Sequence, residues 1–343
     1  MEARESFSRE EASFLMQQIL TGSPADLQIA ALLGALAARG ETAAEIAGFA
    51  DAMRGEAIPL PLEDFERALL VDTCGTGGDS SGTFNISTAS ALVAAAAGAT
   101  VAKHGNRAVT SQCGSADVLE ALSIPVDLSP AAAAEAIRRH RFAFLHAPTL
   151  HPTMRAVMPV RRALGVRTLF NIVGPLTNPA GASRQVMGVY APHLVPLVAE
   201  AMAMLGTRRA MVVHGDLQSH IAADGKPAVA YMGLDELSIS GPSHVAEVHN
   251  SSVTLTSIAP EDAGLTRASL EALRGGDATT NAVILTAIFA GEHSPRRDVV
   301  VLNAAAVLVT SDLAPNLVAG AHLAQETIDR GAVTALVAAL SAR

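Results

Sequence analysis

The sequence of 343 residues has no tryptophan and only two cysteines, and aromatic residues make up just 3% of it. Cys74 and Cys113 lie in different contexts and show no CxxC spacing. This pattern argues against a disulfide framework or a cysteine-ligated zinc site, and it favours reduced thiols in a cytosol. We therefore expect a cytoplasmic protein. Because much of the hydrophobic content is alanine, its helices are expected to pack closely.

Positive charge and long apolar runs are also scarce. Lysine and arginine number 24 against 33 aspartates and glutamates, which leaves a formal net charge of -9. This balance argues against nucleic acid or an anionic membrane as the main partner. The longest apolar stretch, residues 86–102, contains serine and threonine and is too rich in small residues to predict a membrane span. The charged N-terminus lacks the apolar segment of a signal peptide.

The composition is typical of a globular protein, since half of the residues are hydrophobic and 17% are charged. The length exceeds what one compact core usually holds, so we expect two domains. Three helical patterns open the chain, and Ser23, Pro24 and Gly40 predict the start and end of the second. Two prolines in "AIPLPLED" then predict a linker. We divide the chain into a helical domain, 1–65, on which some later helices pack, and an α/β domain, 66–343.

Short apolar runs alternate with helical patterns after the linker. This alternation predicts a mainly parallel sheet, with ligands at the carboxyl ends of its strands. The tail from Arg267 onward is predicted to be helical, and helices at both ends of the chain are expected to pack together. A helix bent at Pro159 is predicted for residues 152–165. The predicted strands are residues 68–74, 100–105, 142–147, 185–191 and 208–215.

The first candidate site is the stretch "VDTCGTGGDSSGTFNIST", residues 71–88, where a predicted strand runs into a glycine-rich turn and then a helix. Glycine lets the backbone approach an anion closely, and a helix beginning near Asn85 adds unpaired N–H groups. The run matches neither the dinucleotide nor the P-loop pattern. A tight turn without a ligand is the alternative. Asp79 would repel a bare phosphate, so it indicates a metal ion or a substrate hydroxyl.

The second candidate site is "KHGNRAVTSQCGSAD", residues 103–117, which also follows a predicted strand and precedes a helix. In a parallel sheet it would lie at the same edge as the first site. Lys103 and Arg107 supply positive charge, and the run also contains several neutral hydrogen-bond donors. A solvated polar loop is the alternative, but two such loops at one edge favour a binding site.

These two runs, with "HPTMRAVMPVRRALGVRTLFNIVGPLTNPA", "GLDELS", "GGDATTNAVIL" and "PRRDVVVLNAAAVL", resemble in order the motifs of the anthranilate phosphoribosyltransferase family. The resemblance covers nearly the whole chain. It implies transfer of the 5-phosphoribosyl group from phosphoribosyl pyrophosphate to the amine of anthranilate, in tryptophan biosynthesis. It also implies Mg²⁺ and a homodimer. The implied fold is a small helical domain beside a larger α/β domain of the nucleoside phosphorylase type, with the site in the cleft.

The resemblance also implies roles for individual residues. Gly75, Gly78 and Asp79 would line the place where both substrates meet. Lys103 and Arg161 would carry most of the catalysis, and Arg161 would bind the anthranilate carboxylate. The contacts to phosphoribosyl pyrophosphate would come from Thr83, Asn85, Ile86, Ser87, Thr88, Lys103, His104, Gly105, Asn106, Arg107, Ala108, Val109, Thr110, Ser111 and Ser115.

The same resemblance implies that Ser87, Asp235 and Glu236 hold the metal ion. Mg²⁺ takes hard oxygen ligands and usually bridges a few carboxylates to substrate phosphates. Adjacent acids can serve together only on irregular backbone, because in a strand they would point to opposite faces. Acids at the start of a helix are the alternative for this pair.

Arg161 suits a carboxylate because its guanidinium is a planar fork, and Arg162 beside it is the candidate for a solvated side chain. Asn106 would also face anthranilate. His104 and His151 are expected to be hydrogen-bonded structural residues, with His104 the secondary candidate for a substrate contact. The aromatic amine is neutral at pH 7, so we expect neither a covalent intermediate nor an obligatory protein base.

Two other functions fit parts of the sequence. A pyrimidine nucleoside phosphorylase would carry a Lys-His-Ser-Thr-Gly-Gly type loop where this chain has "DTCGTGGD", and it would lack the acidic pair. A non-catalytic relative that binds nucleic acid would be basic. Residues 216–232 form an insertion relative to the family, and we predict a surface hairpin there that could shift the acidic pair or cover the cleft.

Overall fold

A computed structural model of the chain describes residues 5–108, 112–217 and 233–342. It opens with three helices, α1 (Arg9–Leu20), α2 (Asp26–Arg39) and α3 (Ala43–Gly55). Helices α1 and α3 each begin with a capping box, in which a hydroxyl and a glutamate satisfy the first backbone N–H groups.

The predicted start of the second helix is wrong. Helix α2 begins at Asp26, after Ala25, and the Gln28 side chain accepts a hydrogen bond from the Ala25 N–H at 2.9 Å. A glutamine that satisfies this donor replaces the hydroxyl cap expected from Ser23. The predicted end is confirmed, because Gly40 follows the helix with φ 86°, in the left-handed region that favours glycine.

Strands and helices then alternate through the middle of the chain. The order is α4 (Asp64–Arg67), β1 (Leu70–Gly75), α5 (Ile86–Ala96), β2 (Thr100–Gly105), α6 (Ser115–Ala121), α7 (Pro130–His140), β3 (Phe142–His146), α8 (Ala147–Leu150), α9 (Met158–Leu164), α10 (Leu169–Val173), β4 (Arg184–Gly188), α11 (Leu194–Met204) and β5 (Arg209–Gly215). The remaining elements are β6 (Ser243–His249), β7 (Ser252–Ile258), α12 (Ala278–Phe289), α13 (Pro295–Thr310), α14 (Leu317–Asp329) and α15 (Ala332–Ser341).

The described residues form one sheet of seven strands in the order β3-β2-β1-β4-β5-β6-β7. Strands β1 to β5 are parallel, and these are the five strands that the sequence predicts. The hairpin of β6 and β7 was not predicted. It is antiparallel and turns at Asn250 and Ser251, whose φ values of 47° and 68° suit a two-residue hairpin turn. Asn-Ser is a weaker turn signal than Asn-Gly, which explains why sequence reasoning missed the hairpin.

The order in which the chain adds strands to the sheet switches sides at β1, and the candidate site lies at this switch point. Strand β2 lies on one side of β1 and β4 on the other. The helices that follow the two strands leave a crevice at the carboxyl edge of such a sheet. Gly75, Gly105, Gly188 and Gly215 end four adjacent strands along this edge.

Two faces of the sheet bury two separate groups of helices. Helices α5, α13, α14 and α15 share one core, whereas α1 to α3 share another with α9, α10 and α11. The expectation that helices from both chain ends pack together is therefore wrong. Helix α13 is buried around nearly its whole circumference, so it needs both the sheet and α14 to cover it. The division at residues 65 and 66 stays a prediction.

Other expectations have mixed outcomes. Residues 152–165 do not form one bent helix, because a 3-10 helix at Pro152–Ala156 ends before α9 begins at Met158. Pro159 occupies the first turn of α9, where its missing N–H needs no partner. The predicted hairpin spans residues 216–232, and residues 218–232 of that segment lie outside the described residues. No helix in the described ranges combines the length and apolar character that crossing a membrane requires.

An ion pair between the buried Arg184 and the exposed Asp312 joins the start of β4 to the end of α13 and yields a stability prediction. Arg184, 4% exposed, donates to Asp312 at 2.7 Å and to the Thr310 carbonyl at 3.1 Å. Arg209 contacts the same carboxylate. Asp312→Asn, which suits the left-handed φ of 61°, removes the charge that compensates the buried guanidinium.

We expect Asp312→Asn to lower the free energy of unfolding by about 2 kcal/mol, measured by urea denaturation. Glu261→Gln, which removes the partner of Arg267 from an exposed pair, serves as the control and should change it by less than about 0.5 kcal/mol. Equal effects of the two substitutions would show that burial of Arg184 does not matter.

Candidate active site

The glycine-rich loop after β1 folds back over the sheet edge. Gly77 and Gly78 have φ values of 68° and 78°, which side chains rarely adopt. The Gly77 N–H donates to Asp235 Oδ2 at 2.6 Å, across 158 positions of the chain. Asp79 accepts from the Ser81 N–H at 3.1 Å and from the Asp235 N–H at 3.4 Å. The loop is therefore joined to the predicted acidic segment through backbone N–H groups.

The N-cap residue Asn85 does not cap the first turn of α5, where the Ile86 N–H instead donates to the Phe84 carbonyl at 2.8 Å. The Asn85 side chain donates to the Cys113 carbonyl at 3.2 Å and accepts from Asn281 Nδ2 at 2.9 Å. These bonds tie the turn to the loop after β2 and to α12. The Ser87 N–H donates to Glu236 Oε1 at 3.0 Å. A carboxylate thus occupies the end of the helix where the dipole and exposed N–H groups attract anions.

The acidic pair lies on irregular backbone that crosses the ends of three strands. Leu234 pairs with Gly215 in an isolated bridge, and Asp235 and Glu236 follow it outside any helix or strand. They do not begin a helix, which was the alternative. Asp235 therefore reaches the glycine loop while Glu236 reaches α5. The insertion in 216–232 does not separate the pair from the other predicted residues.

Strand ends made of glycine leave room for this segment. A Cβ on Gly188 would overlap the Asp235 carbonyl oxygen, and a Cβ on Gly75 would overlap Asp235 Oδ2. A Cβ on Gly215 would lie 2.6 Å from the Glu236 carbonyl oxygen. The close approach of the acidic segment to the sheet is thus possible only because these side chains are absent.

The site carries excess negative charge. Burial, together with Asp79 and Glu236, raises the pKa of Asp235 well above its usual value. Burial raises the pKa of Glu236 to about 7, against the opposing effect of Lys103. These carboxylates and the Ser87 hydroxyl are hard oxygen ligands of the kind Mg²⁺ prefers, and a cation would relieve their repulsion. Within the described residues, no group of three or more His, Cys, Asp or Glu is arranged to hold a metal ion.

Lys103 lies at the centre of the site. It is 2% exposed, and its Nζ donates to the Thr73 carbonyl at 2.6 Å and to Ser87 Oγ at 3.3 Å. The ammonium is therefore held between β1 and the first turn of α5. A phosphate bound at that turn would lie beside a positive charge shielded from water, where the attraction is strong.

The loop after β2 brings some predicted residues to the carboxyl edge of the sheet, but the side chain of Arg107 pairs with a carboxylate of α6. Ser115 Oγ donates to the Asn106 carbonyl at 3.2 Å, and Asp117 accepts from the Ala108 N–H at 2.9 Å. The Arg107 guanidinium instead pairs with Glu120 at 2.5 and 2.6 Å. Its predicted phosphate contact stays a prediction and would require the side chain to leave that partner. Val109, Thr110 and Ser111 lie outside the described residues.

Several predicted contacts can involve only backbone groups. The side chains of Ile86 and Thr88 are buried in the core, 2% and 1% exposed. Gly105 leaves space for Ser115, since a Cβ there would overlap the Ser115 Oγ. Thr83 pairs with Arg274 in an isolated bridge, and its hydroxyl lies 3.1 Å from Ser81 Oγ.

Arg161 and Arg167 differ in what they contact. Arg161 lies over the Phe170 ring at 5.1 Å, and burial lowers its pKa. In the described parts of the chain no ion pair involves it, whereas Arg162 is exposed, as expected. Arg167 was not predicted, yet it donates to the Gly78 carbonyl at 2.7 Å and stacks on Tyr190 at 4.5 Å. Its position in the motif "GVRTLFN" was the available signal.

Both histidines are buried, but His104 Nε2 and His151 Nε2 have no hydrogen-bond partner in the described part of the chain, so the expected hydrogen bonding is not seen at these atoms. Burial, with a smaller effect of His151, lowers the pKa of His104 to about 3. The two ring centroids are 5.1 Å apart, and burial lowers the pKa of His151 to about 4. Both imidazoles are therefore neutral near pH 7. Asp72 and Asn178, which hydrogen-bond to the strand that carries His104, were not predicted.

The whole chain is similar to proteins of known name. It matches the glycosyl transferase family, helical bundle domain, over residues 2–57 and its α/β domain over residues 67–334. Anthranilate phosphoribosyltransferase from Chloroflexus aggregans is 48% identical over 331 residues, which are 96% of this chain and 92% of that protein. The enzyme of the same name from Roseiflexus castenholzii is 48% identical over 330 residues, with coverages of 96% and 92%.

Solved structures agree with these relatives. The crystal structure of anthranilate phosphoribosyltransferase from Thermus thermophilus has a TM-score of 0.87 and 42% identity, covering 98% of this chain and 95% of that chain. Anthranilate phosphoribosyltransferase from Saccharomyces cerevisiae in complex with PRPP and Mg has a TM-score of 0.81 and 26% identity, with coverages of 96% and 92%.

The glycine at the end of β4 yields a prediction. Gly188→Ala should lower the free energy of unfolding by about 3 kcal/mol, because its Cβ would overlap backbone that cannot move aside easily. Gly34→Ala, in α2 with nothing within 4 Å of the added Cβ, is the control and should be neutral or stabilise by up to about 1 kcal/mol. Urea denaturation measures both, and a neutral Gly188→Ala would contradict the close approach of Asp235.

Proposed function

The chain belongs to the anthranilate phosphoribosyltransferase family, and from this we propose that it transfers the 5-phosphoribosyl group from phosphoribosyl pyrophosphate to the amine of anthranilate. The products are N-(5-phosphoribosyl)anthranilate and pyrophosphate, a step of tryptophan biosynthesis. The observation that carries the proposal is the meeting of the glycine loop, Lys103, Ser87, Asp235 and Glu236 at one sheet edge. The acidic pair disfavours a pyrimidine nucleoside phosphorylase, and the net charge of -9 disfavours a nucleic-acid-binding protein.

Phosphoribosyl pyrophosphate binds at the first turn of α5 in this proposal. The positive end of the helix dipole at that turn and the Lys103 ammonium attract its phosphates. Ser87, Asp235 and Glu236 would hold Mg²⁺, and the S. cerevisiae complex with PRPP and Mg supports this choice of metal. When bound, the cation neutralises the negative charge that develops on the departing pyrophosphate. Lys103 supplies the same effect from the protein side.

Anthranilate binds with its carboxylate at Arg161 and its ring near the glycine loop. Arg161 is a suitable anchor because it is partly buried with its guanidinium packed on Phe170. Asn106 faces the same substrate. Holding the amine beside the sugar carbon converts a rare encounter into a positioned reaction.

The reaction needs no protein base in this proposal. As pyrophosphate departs, positive charge builds on the sugar, as in glycoside chemistry. The aromatic amine is neutral and attacks without losing a proton first. His104, whose pKa is about 3 because of burial, is a neutral neighbour of the substrate loop.

The assembly and location are also part of the proposal. The protein acts as a homodimer in the cytoplasm, with no nucleic-acid or membrane partner. Phe14 on α1 and Leu27 on α2 are 64% and 85% exposed, and such apolar residues would be covered by a second copy. Sedimentation velocity measures the assembly directly.

The reaction is tested with the native fluorescence of anthranilate. Purified protein, phosphoribosyl pyrophosphate and Mg²⁺ together should remove the signal, and omission of any one, or addition of EDTA, should preserve it. A folded protein that never removes the signal would contradict the proposal. Other aromatic amines, and then nucleosides with phosphate, would be tested next.

The anthranilate site is tested by two adjacent arginines. Arg161→Lys should raise KM for anthranilate by about 10- to 100-fold, because an ammonium cannot replace the two parallel hydrogen bonds of a guanidinium. KM for phosphoribosyl pyrophosphate should stay within about twofold, since that substrate is held elsewhere. Arg162→Lys is the matched control and should leave both constants nearly unchanged. A similar effect of the two variants would remove Arg161 from the site.

A further inference from the structure

The backbone ladder between β1 and β2 stops short of the site. The two strands pair only at Leu70 with Thr100 and at Val71 with Val101. By contrast, β1 pairs with β4, and β2 with β3, over five positions each. The central strands therefore separate before they reach the carboxyl edge. In a parallel sheet this separation leaves backbone N–H and C=O groups that need other partners.

Two buried polar side chains satisfy those groups. Asp72 Oδ1 accepts from the His104 N–H at 3.1 Å. Asn178 Nδ2 donates to Asp72 Oδ2 and to the Ala102 carbonyl, both at 2.8 Å. The Ala180 N–H donates to Asn178 Oδ1 at 2.9 Å, which orients the amide. Asp72 and Asn178 thus replace the missing ladder and hold β2 at a distance from β1.

Lys103 occupies the gap that results. Its Nζ donates to the Thr73 carbonyl of β1 and lies 3.3 Å from Ser87 Oγ. In a regular ladder a strand carbonyl accepts from a backbone N–H of its neighbour, so the bond from Nζ to the Thr73 carbonyl goes with the early end of this ladder. The opening of the sheet and the position of the ammonium are therefore one feature.

The buried carboxylate of Asp72 does not by itself favour folding. Asp72 is 0% exposed, and burial raises its pKa to about 6 even though Asn178 and Lys103 act to lower it. A buried ion pair is often no more stabilising than apolar side chains of similar volume. A carboxylate in this position does more for the location of Lys103 than for the stability of the sheet.

We propose that Asp72 and Asn178 are positioning residues for phosphoribosyl transfer, which hold the Lys103 ammonium at the first turn of α5 by keeping β1 and β2 apart. Neither residue touches the substrates. The inference deepens the proposed function and rests on it for the identity of the reaction, but the position of Lys103 can be tested without turnover.

The first test is the chemical reactivity of Lys103. The sequence contains only one other lysine, Lys226, so peptide mass spectrometry after amine acetylation reports on Lys103 alone. Asp72→Asn and Asn178→Ala should increase its labelling rate about tenfold or more, because the amine is less restrained. Gln185→Leu is the control. Gln185 lies on β4, the other neighbour of β1, and the substitution removes a buried polar side chain that donates to the Pro175 carbonyl at 2.7 Å.

The second test separates positioning from general destabilisation. Asp72→Asn should lower kcat/KM for phosphoribosyl pyrophosphate about 10- to 100-fold and change KM for anthranilate by less than about threefold. In a Lys103→Met background the same substitution should have almost no further effect, because the residue it acts through is gone. Gln185→Leu should reduce thermal stability without this selective loss.

The outcomes are distinct. Faster labelling in Asp72→Asn and Asn178→Ala but not in Gln185→Leu supports the proposal, and unchanged labelling overturns it. If wild-type protein fails to consume anthranilate, the proposed function fails while the labelling result still decides the role of Asp72. If turnover occurs and the effects of Asp72→Asn and Lys103→Met are additive, Asp72 does not act through Lys103.

Discussion

The passage of one acidic segment over three glycine-ended strands is the constraint on which the site depends. Gly75, Gly188 and Gly215 lack the Cβ atoms that would collide with Asp235 or Glu236. Because the segment lies this close, Asp235 reaches the loop after β1 and Glu236 reaches the first turn of α5. Two side chains that are adjacent in sequence thereby serve two different parts of the same edge.

A second constraint is the balance of buried charge. The acidic pair has raised pKa values because burial and mutual repulsion disfavour its ionised form. Lys103 is buried near these carboxylates, and the buried Asp72 interacts with it electrostatically. Such an arrangement stabilises the fold little, since each charge loses its hydration. It suits a site that takes up phosphates and a cation together, because ligand binding supplies the charges that folding leaves unbalanced.

Local signals explain what could be predicted. The five parallel strands and the glycine-rich turn after β1 depend on neighbouring residues, and the structure confirms them. The start of α2 and the packing of the C-terminal helices were predicted wrongly. The start of α2 depends on one glutamine side chain, and the packing of the C-terminal helices depends on which buried surface α13 covers. The roles of individual site residues stay predictions that the geometry makes testable.

The sequence by itself determined the mainly parallel α/β architecture, the family and the set of polar residues near the strand ends, because strand–helix periodicity and long motifs are properties of contiguous residues. The tertiary structure alone decided where those side chains point. Arg107 turns to Glu120, Arg167 joins Gly78, and Asn178 joins Asp72 across 106 positions. Such contacts follow from the separation of β1 and β2 and from the path of the acidic segment. Neither feature has a local signal, because both arise only when distant backbone segments pack against each other.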